Sequence, residues 1–217
     1  RDALQISQDM SREAIDFIKR VPSHLQSLLK VAKPAEMLPR RCLVLGGEPS
    51  SVELLAQVQQ LAPACRVVNH YGRSETTIGV LAAELPAAAQ LSGMPLGHPL
   101  LNVHLQLLDA SLQAVVEGVH GELYVGGPSL ARGYLGRPGL TAERFVPDPQ
   151  ASHGERLYRT GDRVRIHHGP IDIFGCIDYQ AKVRGYRSEP CVIIACLRGL
   201  AQLLDAAVVR RVSDQSR

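Results

Sequence analysis

Tryptophan is absent from this 217-residue chain, and the other aromatics are scarce, at three phenylalanines and six tyrosines. With a formal net charge of only +3 and no Lys/Arg stripe interleaved with aromatics, a nucleic-acid-binding surface is excluded. The cysteines number five and form no CxxC pair, which argues against a disulfide framework. Cys42, Cys65, Cys176, Cys191 and Cys196 read as reduced thiols of a cytoplasmic protein. Cys191 and Cys196 could join His167 and His168 as metal ligands, but buried bystander thiols are the commoner outcome. No apolar run reaches the roughly 20 residues of a membrane span, so no membrane partner is expected. The first residues, Arg1-Asp2-Ala3-Leu4, have neither an initiator Met nor a signal-peptide layout, and the chain is expected to begin inside a larger protein. The length leaves room for a sizeable core, as one large domain or a domain plus a fragment.

What is present divides near residue 97. Residues 11–20 read as a helix with Ala14, Ile15 and Ile18 on one face, and Pro22 opens a second helix carrying Leu25, Leu28 and Leu29. Residues 41–45 form a short continuous apolar run, the pattern of a strand covered on both faces. It breaks at Gly46-Gly47-Glu48. Ser50 followed by Glu53 reads as a capping box that starts a helix through Leu61, and residues 66–69 read as the next strand. The resulting βαβ unit predicts parallel neighbouring strands. Its two loops, at 46–48 and 69–75, should then converge beyond the strands' carboxyl ends, where open α/β sheets bind ligands. From residue 97 onward, alternating strands at 103–108, 121–125, 157–159 and 162–166 predict a small β-rich barrel or sandwich. Residues 129–134 and 140–145 read as helical turns. A tight turn at 182–187, a helix at 192–203 and a strand at 206–212 complete the pattern.

The segment Asn69-His70-Tyr71-Gly72-Arg73-Ser74-Glu75-Thr76-Thr77 concentrates nucleotide-handling chemistry. Tyr71 offers a π face to a base, and Asn69 an amide to a base edge. Ser74 offers a hydroxyl to a phosphate, Glu75 a hard carboxylate to Mg²⁺, and Gly72 lets the backbone come close. The same residues could make an ordinary polar turn.

Six segments, taken in order, carry a family resemblance. They are Leu45-Gly46-Gly47-Glu48, Asn69 to Glu75, Gly121-Glu122-Leu123-Tyr124-Val125-Gly126-Gly127-Pro128, Ala131-Arg132-Gly133-Tyr134 through Leu140-Thr141-Ala142-Glu143-Arg144-Phe145, Leu157-Tyr158-Arg159-Thr160-Gly161-Asp162, and Asp178 to Arg187. Each is weak alone; together they are specific. The chain resembles the adenylation domain of nonribosomal peptide synthetases, within the adenylate-forming (AMP-binding) ligases. The resemblance implies an α/β part at about 1–96 and a β-rich part at about 97–177. Together these would be the C-terminal half of the adenylate-forming core domain, followed at 178–217 by the start of a truncated α+β lid.

It further implies amino-acid activation as aminoacyl-AMP with ATP and Mg²⁺, and transfer to phosphopantetheine on a peptidyl carrier domain, with a condensation domain as a further partner. By that resemblance Ser74, Glu75 and Lys182 are catalytic, with Glu75 holding the metal. Gly47, Glu48, Asn69, Tyr71, Gly72 and Asp162 bind nucleotide, Asp162 through the ribose hydroxyls. Asp178 is the hinge. The amino-acid pocket is lined by Lys19, Val44, Gly46, His70, Ile78 and Gly79. A Lys and a His in one pocket are costly to desolvate without an anion, so an acidic amino acid, aspartate, fits best. Alternatively Lys19 reaches solvent and His70 is a core histidine.

The pattern also departs from the family. The triphosphate loop, the carboxylate for the substrate amino group and the lid lysine all fall outside residues 1–217. Arg73 replaces a proline, Cys176 replaces an arginine fork, and 188–194 is apolar where an acidic turn is expected. The isolated chain is therefore expected to bind nucleotide weakly and not to catalyse adenylation. Two other readings stay open: an acyl- or aryl-CoA ligase of the same superfamily, and an inactive remnant that binds nucleotide or a partner domain.

Overall fold

A computed structural model describes residues 3–31, 33–91, 93–166, 171–176, 181–183 and 186–188. The helix and strand expected at 192–203 and 206–212, the hinge Asp178, and the candidate ligands His167, His168, Cys191 and Cys196 lie outside them.

The first sheet runs β1 (Phe17–Arg20), β2 (Cys42–Gly46), β3 (Arg66–Tyr71), β4 (Leu81–Glu84) and β5 (His98–Pro99) in spatial order. β1, β2 and β3 are parallel, with Lys19 beside Val44, Val44 beside Val68, and Gly46 beside His70. β4 and β5 add antiparallel. The expected βαβ unit is present, its crossover being helix α3 (Val52–Leu61). The cap is one residue later than expected. Ser51 Oγ accepts from the Leu54 N–H at 3.2 Å, whereas Ser50 Oγ is buried without a hydrogen bond.

The helix expected at 11–20 is corrected. Helix α1 covers Ala3–Glu13, and Ala14 takes a left-handed φ of 49° that stops it. The Ile15 and Asp16 carbonyls then accept from the backbone N–H groups of Arg40, Arg41 and Cys42, which draws 17–20 into the sheet edge as β1. Strand pairing outweighed a helical spacing of only three apolar residues. Helix α2 (Pro22–Leu28) starts at Pro22 as expected and buries Leu25 and Leu28.

Sheet parity decides which side chains meet. Leu43, Leu45 and Val67 face the α-helical layer, in a core shared with Leu25, Leu28, Leu54, Leu55 and Val58. Fully burying each such side chain contributes roughly 1.5–3 kcal/mol. The opposite face carries Lys19, Val44, Gly46 and His70.

The second sheet is antiparallel and open, ordered β10 (Ile171–Cys176), β9 (Arg156–Ile166), β7 (Gly121–Gly126) and β6 (His104–Leu108), with β8 (Phe145–Pro147) on β9. The strands expected at 157–159 and 162–166 are one strand, β9. It bulges against β7 around Gly161, whose φ is 74°. Helix α4 (Pro138–Arg144) matches the turn expected at 140–145. Residues 129–134 are not helical. Ser129 lies in a turn closed by the Leu130 N–H on the Gly127 carbonyl, and the Ala131 N–H bonds the Glu75 carbonyl at 2.8 Å instead of a local one. A hairpin, β11 (Ala181–Val183) and β12 (Tyr186–Ser188), spans the turn expected at 182–187 and puts Lys182 on β11. A second core of Tyr71, Val80, Leu81, Leu96, Leu123, Val125, Val164 and Ile171 joins the two sheets.

Candidate functional site

The site is built around the end of β3. Asn69, His70 and Tyr71 were expected in a loop with Glu75; they are the last residues of that strand, and only the segment from Gly72 onward is loop. Alternation therefore splits them. His70 shares the face of Lys19, Val44 and Gly46, and Asn69 faces away with its amide donating to the Pro95 carbonyl at 2.7 Å.

On that face, Lys19 Nζ lies 2.9 Å from His70 Nδ1. An ammonium has only donors, so it must donate and His70 Nδ1 must accept. The imidazole is then neutral with its proton on Nε2. Partial burial, and secondarily the Lys19 charge, push the His70 pKa below its ordinary value, in agreement with that tautomer. Among the described residues neither group has an acidic partner. Gly79 lies against the ring: a Cβ there would sit 1.8 Å from His70 Cε1, so any side chain at 79 would displace the imidazole. Val44 adjoins Lys19 in register and Gly46 adjoins His70, so five of the six pocket candidates cluster. The sixth, Ile78, is 63% exposed, with a φ of 72°.

Ile78 belongs to a strained turn. Thr77 and Ile78, both β-branched, have consecutive positive φ values of 56° and 72°. Such conformations cost about 1–3 kcal/mol each and persist only when neighbours fix them. Here Thr77 Oγ1 donates to the Ser129 carbonyl at 2.7 Å and the Ile78 N–H to the Arg73 carbonyl at 2.9 Å. Gly72 allows this fold-back, because a Cβ there would lie 1.6 Å from the Ile78 carbonyl oxygen.

The remaining candidates sit as follows. Ser74 is exposed. Glu75 is buried and its Oε1 accepts from the Tyr134 hydroxyl at 2.7 Å. Burial, then the Glu75 bond, raise the Tyr134 phenol far above its ordinary pKa, so it keeps the proton it donates. Tyr134 packs edge-on against Phe145, which packs on Tyr158, so the second sheet's aromatics orient it. Sequence reasoning missed this partner, although Tyr134 lies inside a recognised motif. Glu48 Oε2 accepts from the Ser23 N–H at 3.1 Å in the first turn of α2, beside the exposed Gly47. Tyr71 is buried in the inter-sheet core and its hydroxyl donates to Asp162 Oδ2. Arg73 binds the same carboxylate, Nη2 to Oδ1 at 2.6 Å and Nε to Oδ2 at 3.2 Å. The β9 bulge sets Asp162 there, and Cys176 on β10 is its cross-strand neighbour.

No cluster of three or more His, Cys, Asp or Glu side chains fit for a metal occurs among the described residues. A single carboxylate such as Glu75 suits Mg²⁺ that is otherwise held by water and substrate phosphates. No helix among the described residues is long and apolar enough to cross a membrane.

Residues 1–135 match the AMP-binding enzyme family. A polypeptide of the linear gramicidin synthase of Brevibacillus parabrevis is 42% identical over 190 residues, 87% of this chain and 4% of its own length. The dimodular nonribosomal peptide synthase of Bacillus subtilis strain 168 is 42% identical over 213 residues, 97% of this chain and 9% of its own. Among solved structures, holo-PA1221, an NRPS protein containing adenylation and PCP domains, superposes with a TM-score of 0.87 at 27% identity, covering 97% of this chain and 37% of that one. The chain belongs to the AMP-binding enzyme family, among the adenylation domains of nonribosomal peptide synthetases. It spans under a tenth of these curated relatives and under half of that solved chain.

Proposed function

We propose that the protein carrying this chain activates an acidic amino acid, aspartate, as its adenylate, using ATP and Mg²⁺. The acyl group then passes to phosphopantetheine on a peptidyl carrier domain, with a condensation domain as the next partner. The observation that carries the substrate is the Lys19–His70 pair, 2.9 Å apart on the pocket face with no acidic partner among the described residues. An ammonium beside an imidazole that carries its proton on Nε2 offers two donors to a carboxylate.

In this reading Ser74 and Glu75 serve the α-phosphate and the metal ion, Asn69 and Tyr71 the adenine, and Asp162 the ribose. Lys182 lies in the hairpin that begins the lid, and Asp178 is the hinge between residues 1–177 and that lid. The reaction is attack of the substrate carboxylate on the α-phosphorus. Positioning and neutralisation of phosphate charge supply most of the rate, and Mg²⁺ contributes the neutralising charge. The setting is the cytoplasm, as the reduced cysteines suggest.

In the full-length protein, Lys19→Met should lower pyrophosphate exchange with aspartate far more than with a neutral amino acid. A protein that activated only apolar amino acids would refute the assignment. One observation favours a second reading, a catalytically silent remnant: Arg73 already occupies Asp162. That reading predicts no exchange with any amino acid.

A further inference from the structure

Asp162 is a candidate nucleotide ligand whose carboxylate is engaged by other side chains at both oxygens. Oδ1 holds Arg73 Nη2 at 2.6 Å, and Oδ2 receives Arg73 Nε at 3.2 Å together with the Tyr71 hydroxyl. The Arg73 and Asp162 side chains are 4% and 7% exposed. A guanidinium fork on a shielded carboxylate is a charge-assisted, two-point contact. Ribose hydroxyls are neutral donors that would have to reach these same oxygens, and with both side chains shielded they can do so only if the guanidinium gives way. The backbone beneath the carboxylate is fixed by the Asp162 N–H bonding Thr160 Oγ1 at 3.0 Å, and the carboxylate itself is held by Arg73 and Tyr71. A proline at position 73, as the resemblance leads one to expect, would offer no such donor.

We propose that Arg73 is an affinity-determining gate on the nucleotide subsite. It holds Asp162 against the ribose hydroxyls, and nucleotide engages that carboxylate only when the guanidinium withdraws. The proposal rests on the reading that this site takes a nucleotide. While the fork is closed, only the small open fraction binds productively, so apparent affinity falls by that fraction. The ribose hydroxyls then add little to binding.

The test is calorimetric titration of the full-length protein with ATP and with 2′,3′-dideoxyATP, for the wild type and for Arg73→Pro. The wild type should bind the two nucleotides within about threefold. Arg73→Pro should bind ATP at least about tenfold tighter while its affinity for the dideoxy analogue stays unchanged, the size expected for hydrogen bonds to a charged group. Wild-type preference for ATP of tenfold or more, or an unchanged ATP affinity in a folded Arg73→Pro protein, would overturn the gate. Should Arg73→Pro fail to fold, Arg73→Ala, which removes the guanidinium and keeps the backbone N–H that donates to Thr76 Oγ1 at 3.2 Å, decides in its place by the same criterion. No nucleotide binding by either protein refutes the nucleotide-site reading itself, and the gate with it.

Discussion

Two polar clusters flank the end of β3, and they balance their charge in opposite ways. Lys19 and His70 meet on the sheet face opposite the helices, partly open to solvent, with no carboxylate partner among the described residues. Arg73, Asp162 and Tyr71 meet in the joint between the two sheets, buried and neutralised by one another. An exposed ammonium can stay hydrated while it waits for an anion, whereas a buried one cannot. In the proposed reading the first cluster receives a charged ligand. The second has taken its counter-ion from the chain.

The sharpest way to break that contrast is Asp162→Asn. It leaves the Arg73 guanidinium buried without its anion, and removing one partner of a buried pair is expected to lower unfolding free energy by about 3–5 kcal/mol. Urea unfolding measures it, and Lys19→Met in the same assay should change stability far less. A smaller effect calibrates both against local structure on the helix that follows β2. Ser51→Ala should lose about 1 kcal/mol of helix capping. Ser50→Ala, whose hydroxyl has no partner, should stay within about 0.5 kcal/mol of wild type. Reversed values would return the cap to Ser50.

The smallest effect is the pH dependence of the open cluster. The His70 pKa is lowered in the fold, so the unfolded chain takes up a proton first as pH falls. The stability held by neutral His70 is complete above the ordinary histidine value of about 6.5 and is lost as pH falls from there through the lowered folded value. Thermal melts of wild type and His70→Asn at neutral and mildly acid pH should differ in slope in that sense. Parallel curves would show that the Lys19 contact does not restrain the imidazole's charge.

The parallel strands β2 and β3 and their crossover helix were legible because an apolar run, a capping serine and a second apolar run follow one another locally. Strand β1 was not, since Phe17 to Arg20 is amphipathic at its weakest and becomes a strand only by pairing with β2. Residues 157–159 and 162–166 read as two strands because Gly161 looks like a break; in the fold it is a bulge that aims Asp162. The pocket candidates could be named from the resemblance, yet the common sheet face of Lys19, Val44, Gly46 and His70 follows from register. The partners of Glu75 and Asp162, Tyr134 and Arg73, are 59 and 89 residues away in sequence. No local pattern reports contacts of that separation.

The most direct measurement is pyrophosphate exchange by the full-length protein with aspartate and with its neutral isostere asparagine. If Lys19 and His70 form a receptor for a carboxylate, aspartate should be preferred at least about tenfold, matching the roughly 1.5 kcal/mol or more that a hydrogen bond to a charged group contributes. Equal exchange with the two amino acids, or a preference for asparagine, would contradict the account.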